Sequence, residues 1–197
     1  MGSILHHRFV NKVYFFPMTQ LIKRISQSLC LCLLFGLVAA ETISGKVIGV
    51  ADGDTVTVLD ATKTQHKIRL SGIDALEKAQ PFGQRSKENL SRLVFGKQVS
   101  VDATKTDRYG RAVGTVIVGD VDANLEQVRA GFAWHYKKYE REQSAEDRSD
   151  YARAETEARA ARTGLWRDAT QVAPWDWRGC RRGQPGDEGV ESGLSRR

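Results

Sequence analysis

Cysteine and histidine are scarce in this chain. Two of its three cysteines, Cys30 and Cys32, lie in an apolar N-terminal segment, and only Cys180 follows it. A disulfide framework or a cysteine-rich metal site within one processed chain is therefore excluded, although pairing of Cys180 with another molecule stays open. Beyond that segment only His66 and His135 remain, far apart in sequence. This distribution argues against a histidine-rich zinc centre, and neither a zinc finger nor a helix-turn-helix is supported.

The chain also lacks an apolar run long enough to span a membrane. Residues 29–38 are apolar but too few for a spanning helix, and two basic residues precede them. Small residues up to Ala40 complete the pattern of an export signal. We therefore expect residues 1–40 to be an N-terminal extension and signal peptide, cleaved near Ala40 to give a secreted or periplasmic protein; an uncleaved anchor is the alternative. Met18 would begin a signal of ordinary length, with residues 1–17 as an upstream extension.

The net charge of +6 overstates the positive charge of the chain beyond Glu41. Four basic residues and no acidic ones precede Glu41, and beyond it 26 basic residues face 24 acidic ones. A nucleic-acid-binding surface must therefore come from local clustering. A hydrophobic content of 41% with few prolines is enough for one globular domain. Residues 179–197, which are rich in glycine, arginine and acids, predict a disordered tail and leave 41–178 as the domain.

Short stretches of alternating residues predict five strands. Residues 42–60 alternate β-branched with small or polar side chains and are interrupted by Asp52 and Gly53, which predicts a hairpin with a primed turn. Short strands joined by regular turns are typical of a small barrel. Three further strands are predicted at residues 66–72, 99–101 and 113–118.

Helical spacing and capping residues predict three helices. The second is entered through Asp122 or Asn124, and the third through a capping box at Ser144. The tryptophans after the third helix are expected to hold it against the barrel rather than to bind a ligand. The predicted fold class is α+β, mainly β, with a five-stranded barrel and three helices. The helices are expected at residues 82–94, 122–131 and 144–164.

Residues 68–77 carry charges that packing does not require. Apolar side chains alternate with Arg69, so the arginine lies on the opposite strand face from them. Gly72 indicates a bulge or a close backbone approach, beyond which Asp74 and Glu77 are expected on irregular backbone. A guanidinium beside two carboxylates suits metal-assisted phosphate chemistry, whereas a surface ion pair at a strand end is the alternative.

Two other motifs carry charge in turns. In the sequence Asp-Gly-Asp-Thr at residues 52–55, a hairpin turn does not require Asp54. The stretch 107–111 places an arginine on each side of Tyr109, a combination suited to phosphate binding and base stacking. An exposed charged turn is the alternative for this stretch.

Taken together and in order, these motifs resemble the staphylococcal nuclease (thermonuclease) family. They read D-G-D-T, R-L-x-G-I-D-A-x-E, D-R-Y-G-R and a closing helix with G-L-W, over about residues 42–178. The resemblance implies an OB-fold and a calcium-dependent phosphodiesterase, an endonuclease that cuts DNA and RNA and leaves 3′-phosphates. It implies a monomer whose partner is nucleic acid, with single strands favoured and no stable protein partner. The alternative is a non-catalytic OB-fold module that binds single strands.

The resemblance also assigns roles to nine residues. The implied ligands of one calcium ion are Asp54, Asp74 and the backbone carbonyl of Ala75. The implied catalytic residues are Arg69, Glu77 and Arg111, with Glu77 as general base and the arginines on the transition-state phosphate. The implied nucleotide-binding residues are Arg108, Tyr109 and Tyr139. Leu76 stands where the family has a proline, which is expected to loosen the loop that carries Glu77.

Overall fold

A computed structural model describes residues 41–182, so the predictions for residues 1–40 and 183–197 lie outside the described range. The chain forms eight strands, four α-helices and two 3-10 turns in this range. The strands are β1 Glu41–Val50, β2 Thr55–Asp60, β3 Gln65–Leu70, β4 Ile73–Ala75, β5 Gln98–Thr106, β6 Ala112–Val118, β7 Val121–Asp122 and β8 Ala133–His135. The helices are α1 Gly83–Val94, α2 Ala123–Arg129, α3 Ala145–Ala160 and α4 Pro174–Arg182, and the 3-10 turns are Lys137–Glu142 and Gly164–Arg167.

Five strands close into a mixed barrel. They follow the order β3-β2-β1-β5-β6 with antiparallel neighbours, and a parallel pairing of β3 with β6 closes the sheet. That closing register sets Ile68 opposite Ala112 and Leu70 opposite Gly114. Period-2 alternation turns one face of each strand inward, as expected for a barrel. The predicted five-stranded OB-fold barrel is confirmed, and fully buried side chains at its centre include Val47, Val56, Val58, Ile68, Val101 and Val116.

A separate two-stranded ribbon, β4 with β8, is not anticipated by the sequence. Asp74 pairs with Trp134 in this ribbon, so it does not lie on irregular backbone, and that prediction is wrong. β4 has only three residues, too few to give a period-2 signal. Gly72 turns the chain from β3 into β4 with φ +71°, and a Cβ there would lie 2.4 Å from Nε2 of Gln143. The close approach expected at Gly72 is therefore confirmed.

The three predicted helices are present as α1, α2 and α3. Asp122 caps α2, since its Oδ1 accepts hydrogen bonds from the N–H groups of Asn124 and Leu125. Asn124 is therefore inside the helix, not its cap. Ser144 caps α3 by accepting from an N–H one turn later. That helix ends at Ala160, ahead of the glycine expected to terminate it.

Two buried amides of α2 tie the barrel to its loops. Asn124 donates from Nδ2 to the carbonyls of Ser71 and Gly114, at 3.0 and 3.2 Å. Gln127 donates from Nε2 to the carbonyl of Gly53 at 2.7 Å. These bonds give buried amide groups partners among the backbone carbonyls of the loops. The loops before Asp54 and after β3 are thereby fixed to one helix.

A fourth helix, α4, was not among the three predicted. Pro174 opens it, as proline often does at a first helical position, and it ends at Arg182. Residues 179–182 are therefore helical, although they fall within the predicted tail. The rings of Trp166 and Trp175 lie 4.6 and 5.5 Å from that of Trp134 in β8. The tryptophans thus pack the C-terminal part of the domain together. Within residues 41–182, none of the helices has both the length and the apolar character that crossing a membrane would need.

The turn between β1 and β2 differs from the predicted primed type. Four residues, 51–54, connect the strands, and the N–H of Ala51 donates to the carbonyl of Thr55 at 2.8 Å. Gly53 does not have the positive φ that a primed turn requires. A Cβ at Gly53 would instead lie 1.9 Å from Oγ of Ser86 in α1. The glycine is needed for this contact with a helix, and the prediction of a primed turn is wrong.

Candidate active site

Asp54 leaves the β1–β2 loop as a buried carboxylate. Its Oδ1 accepts a hydrogen bond from the hydroxyl of Thr55 at 3.0 Å. Its Oδ2 accepts from the N–H of Ala75 at 2.9 Å. Because one carboxylate joins the hairpin loop to β4, two segments that are distant in sequence meet here.

Arg69 lies between two carboxylates. The register of β2 with β3 pairs Thr55 with Arg69, which places the arginine beside Asp54. One guanidinium nitrogen, Nη1, forms an ion pair with Oδ2 of Asp54, and Nη2 donates to Oδ1 of Asp74 at 3.0 Å. The side chain of Arg69 is 17% exposed and that of Asp74 is not exposed at all. Arg69 therefore takes part in a buried ion-pair network, not in the surface pair considered above.

A second guanidinium, from Arg178 of α4, contacts Asp74 as well and also reaches Glu77. Nη2 of Arg178 lies 2.6 Å from Oδ2 of Asp74, and Nη1 donates to its Oδ1 at 3.2 Å. Nη1 also donates to Oε1 of Glu77 at 2.7 Å. Arg178 thus bridges the residue proposed as metal ligand and the one proposed as base.

The loop that carries Glu77 is anchored on both sides. Leu76 is fully buried in the core. Gln80 accepts a hydrogen bond from the N–H of Glu77 through Oε1 at 3.2 Å and donates to the carbonyl of Val172 at 2.6 Å. The first residue of α1, Gly83, packs so closely that a Cβ would lie 2.0 Å from the carbonyl oxygen of Glu77. Burial of Leu76 therefore provides an anchor where the family has a proline.

The carboxylates of the centre differ in their pKa shifts. Burial raises the pKa of Asp54, but the Arg69 charge and the Ala75 N–H outweigh it, and the pKa lies below its ordinary value. At Asp74 burial exceeds the effect of both guanidiniums, so its pKa lies above the ordinary value. Burial and the charge of Asp54 raise the pKa of Asp52 to about 6. Crowding of acids in a buried centre favours binding of a cation.

A second cluster lies on the β5–β6 loop. Asp107 accepts hydrogen bonds from the N–H groups of Tyr109 and Arg111 and forms an ion pair with the Arg111 guanidinium at 2.7 Å. The guanidinium carbons of Arg108 and Arg111 lie 4.9 and 5.5 Å from the ring centre of Tyr109. The tyrosine is 68% exposed. The loop therefore presents an aromatic face flanked by positive charge.

Arg111 belongs to this loop cluster rather than to the carboxylate centre. In the part of the chain that the structure describes, its ion pair is with Asp107 and not with Asp54, Asp74 or Glu77. The parallel pairing of Ala112 with Ile68 nonetheless sets Arg111 at the start of the strand beside Arg69. The two arginines thus approach the same end of the barrel from neighbouring strands.

Tyr139 lies in the 3-10 turn Lys137–Glu142. It is exposed, and Nζ of Lys105 lies 4.9 Å from its ring centre. The Tyr139 ring packs edge-on against Tyr136 at 5.3 Å, and Tyr136 stacks on Trp175 of α4 at the same distance. An aromatic row therefore leads from Tyr139 to the helix that carries Arg178.

The structure brings the metal-ligand candidates together with Arg69 and Glu77, and it places the nucleotide-binding candidates on the β5–β6 loop and in the 3-10 turn Lys137–Glu142. Sequence reasoning missed Arg178, although Pro174 followed by a tryptophan-rich stretch signals a short helix. It also missed the structural roles of Gln80 and Gln127, because a buried amide has no motif in one sequence.

The donor chemistry of the centre fits a hard divalent cation. Among residues 41–182, no group of three or more histidines, cysteines, aspartates or glutamates is arranged as a metal-binding cluster. Asp54 and Asp74 nevertheless converge on one guanidinium, supply only oxygen donors and are buried. A cation such as Ca²⁺ or Mg²⁺ can complete its shell with backbone carbonyl oxygens and water.

An OB-fold barrel with paired carboxylates and arginines beside a basic, aromatic loop defines a nuclease that acts on phosphodiesters. The family model described as "Staphylococcal nuclease homologue" matches residues 67–168. The chain belongs to this family, as the motifs predict.

Three relatives are similar to this chain over more than two thirds of its length, and the names of two describe nucleases. "Protein ParB" of Escherichia coli is 41% identical over 145 residues, which cover 69% of this chain and 79% of that protein. An "Uncharacterized endonuclease" of Haemophilus influenzae is 38% identical over 151 residues, 75% of this chain and 82% of its own. The "Probable staphylococcal-like nuclease CAN2" of Oryza sativa is 35% identical over 133 residues, 68% of this chain and 33% of the plant protein. The protein is therefore a nuclease, and the alternative of a non-catalytic binding module is set aside.

Proposed function

We propose that this nuclease is a calcium-dependent endonuclease that hydrolyses DNA and RNA and leaves 3′-phosphate ends. The observation that carries the proposal is the convergence of Asp54, Arg69 and Asp74 from separate segments into one buried centre. Two like charges are not buried beside each other without compensation, and here Arg69 pairs with both carboxylates while Arg178 also pairs with Asp74.

Asp54, Asp74 and the backbone carbonyl of Ala75 would hold the cation. When bound, calcium supplies positive charge to a non-bridging phosphoryl oxygen and helps to orient the attacking water. The N–H of Ala75 already bonds to Asp54, which fixes the backbone from which the carbonyl is presented.

Glu77 is proposed as the general base. Its carboxylate is half-buried, so water can reach it from the solvent side. In the reaction Glu77 accepts a proton from this water as the oxygen attacks phosphorus. The bond from phosphorus to the 5′ oxygen breaks, this oxygen takes a proton from solvent, and the products are a 3′-phosphate and a 5′-hydroxyl. Such proton transfer typically contributes about 10²–10⁴ in rate.

Arg69 and Arg111 are proposed to neutralise the charge that gathers on the phosphoryl oxygens. A guanidinium offers a planar pair of donors to two oxygens at once, which an ammonium cannot do. Interactions that strengthen in the transition state raise the turnover number. The proposal requires Arg111 to exchange its bond with Asp107 for the phosphate.

Single strands are the proposed preferred substrate. Tyr109 presents an exposed ring between two arginines, and Tyr139 presents another beside Lys105. A base can stack on such rings only where it is not already stacked inside a duplex. Arg108 is proposed to contact the adjoining phosphate.

We also propose that the protein is exported and acts as a monomer. A basic, then apolar, then small-residue pattern before Glu41 supports removal of residues 1–40 as a signal, with the nuclease domain beginning at Glu41. Millimolar calcium outside cells suits a site built from few ligands.

A nuclease assay in calcium and then in excess chelator tests the proposal. We expect single-stranded DNA and RNA to be cut in calcium and to remain intact in chelator, with new ends that phosphatase converts to 3′-hydroxyls. Asp74→Asn should abolish cleavage, whereas Asp120→Asn, which removes an exposed acid remote from the centre in sequence, should not. Full activity in chelator, or 5′-phosphate products, would contradict the proposal.

A further inference from the structure

Arg178 occupies carboxylate oxygens that a cation bound to Asp74 would need. Its guanidinium contacts both oxygens of Asp74 and one oxygen of Glu77. With the bond from Arg69, Asp74 accepts three guanidinium N–H groups. A carboxylate has about four lone-pair positions in all, so little acceptor capacity is left for a metal.

A second argument is electrostatic. A divalent cation bound to Asp74 would lie within a few ångströms of the Arg178 guanidinium, and like charges at that distance repel strongly in a partly buried site. Arginine cannot relieve this repulsion by losing its proton, because it stays charged at any physiological pH. The hydrogen bond from Arg178 to Asp74, followed by that to Glu77, raises the pKa of the guanidinium still further.

The two arginines differ in exposure and in the element that carries them. Arg69 projects from β3 within the barrel, between two carboxylates, and its side chain is 17% exposed. Arg178 projects from α4, and its side chain is 38% exposed. Helix α4 is held at its start by the stacking of Trp175 on Tyr136 and by the bond from Gln80 to the carbonyl of Val172. Arg178 can therefore leave the centre without opening the barrel.

We propose that Arg178 is an internal competitor of the metal, which sets the cation affinity of the site by holding Asp74 and Glu77 until calcium displaces it. This inference rests on the proposed role of Asp74 as a cation ligand. Arg178 lies beyond residue 168, where the match to the family ends, so the competitor is supplied by an element outside the matched region. Displacement also frees Oε1 of Glu77, which otherwise accepts a hydrogen bond from Arg178.

Cation affinity tests the competition directly, without reference to turnover. Calcium binding to the full chain is measured by calorimetry, and terbium binding by luminescence, for the wild type and for Arg178→Ala, Arg178→Lys and Arg167→Ala. Removal of a charge-assisted bond of this kind changes affinity by roughly 10- to 100-fold, and the partial exposure of Arg178 favours the lower end. We therefore expect Arg178→Ala to bind calcium about tenfold more tightly, with Arg178→Lys in between.

The Arg167 variant is the matched control. Arg167 is an exposed arginine in the 3-10 turn before α4, and its removal changes the net charge equally. Its calcium affinity should match that of the wild type at moderate salt, where distant surface charges are screened. Circular dichroism melting checks that every variant is folded.

Hydrogen exchange provides a second readout. In the wild type, saturating calcium should speed amide exchange across residues 174–182, because α4 loses the Arg178 contacts. Unchanged or weaker calcium binding by Arg178→Ala overturns the competition while leaving calcium dependence intact. If neither protein binds calcium or terbium, the calcium assignment fails as well.

Discussion

The guanidinium of Arg69 lies 3.0 Å from Oδ1 of Asp74, a carboxylate that has no exposed surface. The same guanidinium pairs with Asp54, so one buried positive charge serves two buried negative ones. Such an arrangement costs desolvation energy that a merely structural centre could avoid with apolar residues. Its presence at the end of a nuclease barrel indicates selection for chemistry.

Replacement of Arg69 by lysine should separate chemistry from charge. Lysine keeps the positive charge but loses the planar fork, so we expect turnover to fall by roughly 10³–10⁵, the range that arginines supply in phosphoryl transfer. Because the pair is buried, we also expect a stability loss of about 1–3 kcal/mol from imperfectly bonded carboxylates. Steady-state kinetics and a thermal melt measure the two effects.

Arg153→Lys is the matched control, since within residues 41–182 Arg153 pairs on the helix surface with Asp150 and Glu157. It should leave both turnover and melting temperature nearly unchanged. Near-normal turnover of Arg69→Lys would remove Arg69 from the mechanism.

Glu77→Gln should lower turnover by about 10²–10⁴ without abolishing substrate binding. Glutamine keeps an oxygen that can accept the bond from Arg178 but cannot take up a proton from water. Single-turnover rates at saturating substrate, with binding measured separately, distinguish the two steps. An equal loss in binding and in rate would assign Glu77 to substrate binding instead.

Tyr109→Ala should weaken binding of single strands by roughly 1–3 kcal/mol, whatever the base sequence. The ring is exposed between two arginines and supports no core packing. Fluorescence anisotropy with homopolymers of each base measures the loss, and binding should weaken further as salt is raised. Phe95→Ala, another exposed aromatic, is the control. A loss confined to one base would point to recognition of base edges.

Tyr151→Phe should destabilise the domain without touching the active site. The hydroxyl of this buried tyrosine donates to Oδ2 of Asp122 at 2.7 Å. Loss of a bond to a charged group costs about 1.5–3 kcal/mol. Chemical denaturation measures the change, and Tyr139→Phe, whose ring is exposed, should show little effect.

The pH dependence of this destabilisation has a definite sign. Burial raises the pKa of Asp122 above its ordinary value of 3.8, despite the N–H of Leu125 and the hydroxyl of Tyr151. A raised carboxyl pKa means that stability is lost as pH rises through the folded value. Without the hydroxyl this loss grows, so the gap between Tyr151→Phe and the wild type should be wide at pH 7 and narrow at pH 4. Asp147 also faces this carboxylate and adds to the loss.

The sequence predicts the barrel well because β-branched alternation reports directly on burial. The strands around Val56, Ile68 and Val116 follow from that signal alone. It misses β4, since three residues cannot establish a period, and it misjudges Gly53, because the space beside Ser86 exists only in the folded domain. Contacts that form only when distant segments pack together cannot be predicted from the local pattern of a single sequence.

The same distinction applies to the active site. Packing does not explain charged side chains beside apolar strands, and for that reason the sequence identifies Asp54, Arg69, Asp74 and Glu77. The sequence does not identify Arg178, because arginines are frequent near the C-terminus. Only the packing of α4 in the folded domain brings this arginine to Asp74. The separation of Arg111 from the carboxylates likewise depends on its bond to Asp107.

The two buried amides of α2 have a consequence for how the enzyme fails on heating. Gln127 holds the loop before Asp54 and Asn124 holds the turn after β3, so neither active-site loop can loosen while the helix stays in place. The catalytic end of the barrel then belongs to the same cooperative unit as the core. Loss of activity and loss of fold should occur at one temperature, and cooling should restore both together.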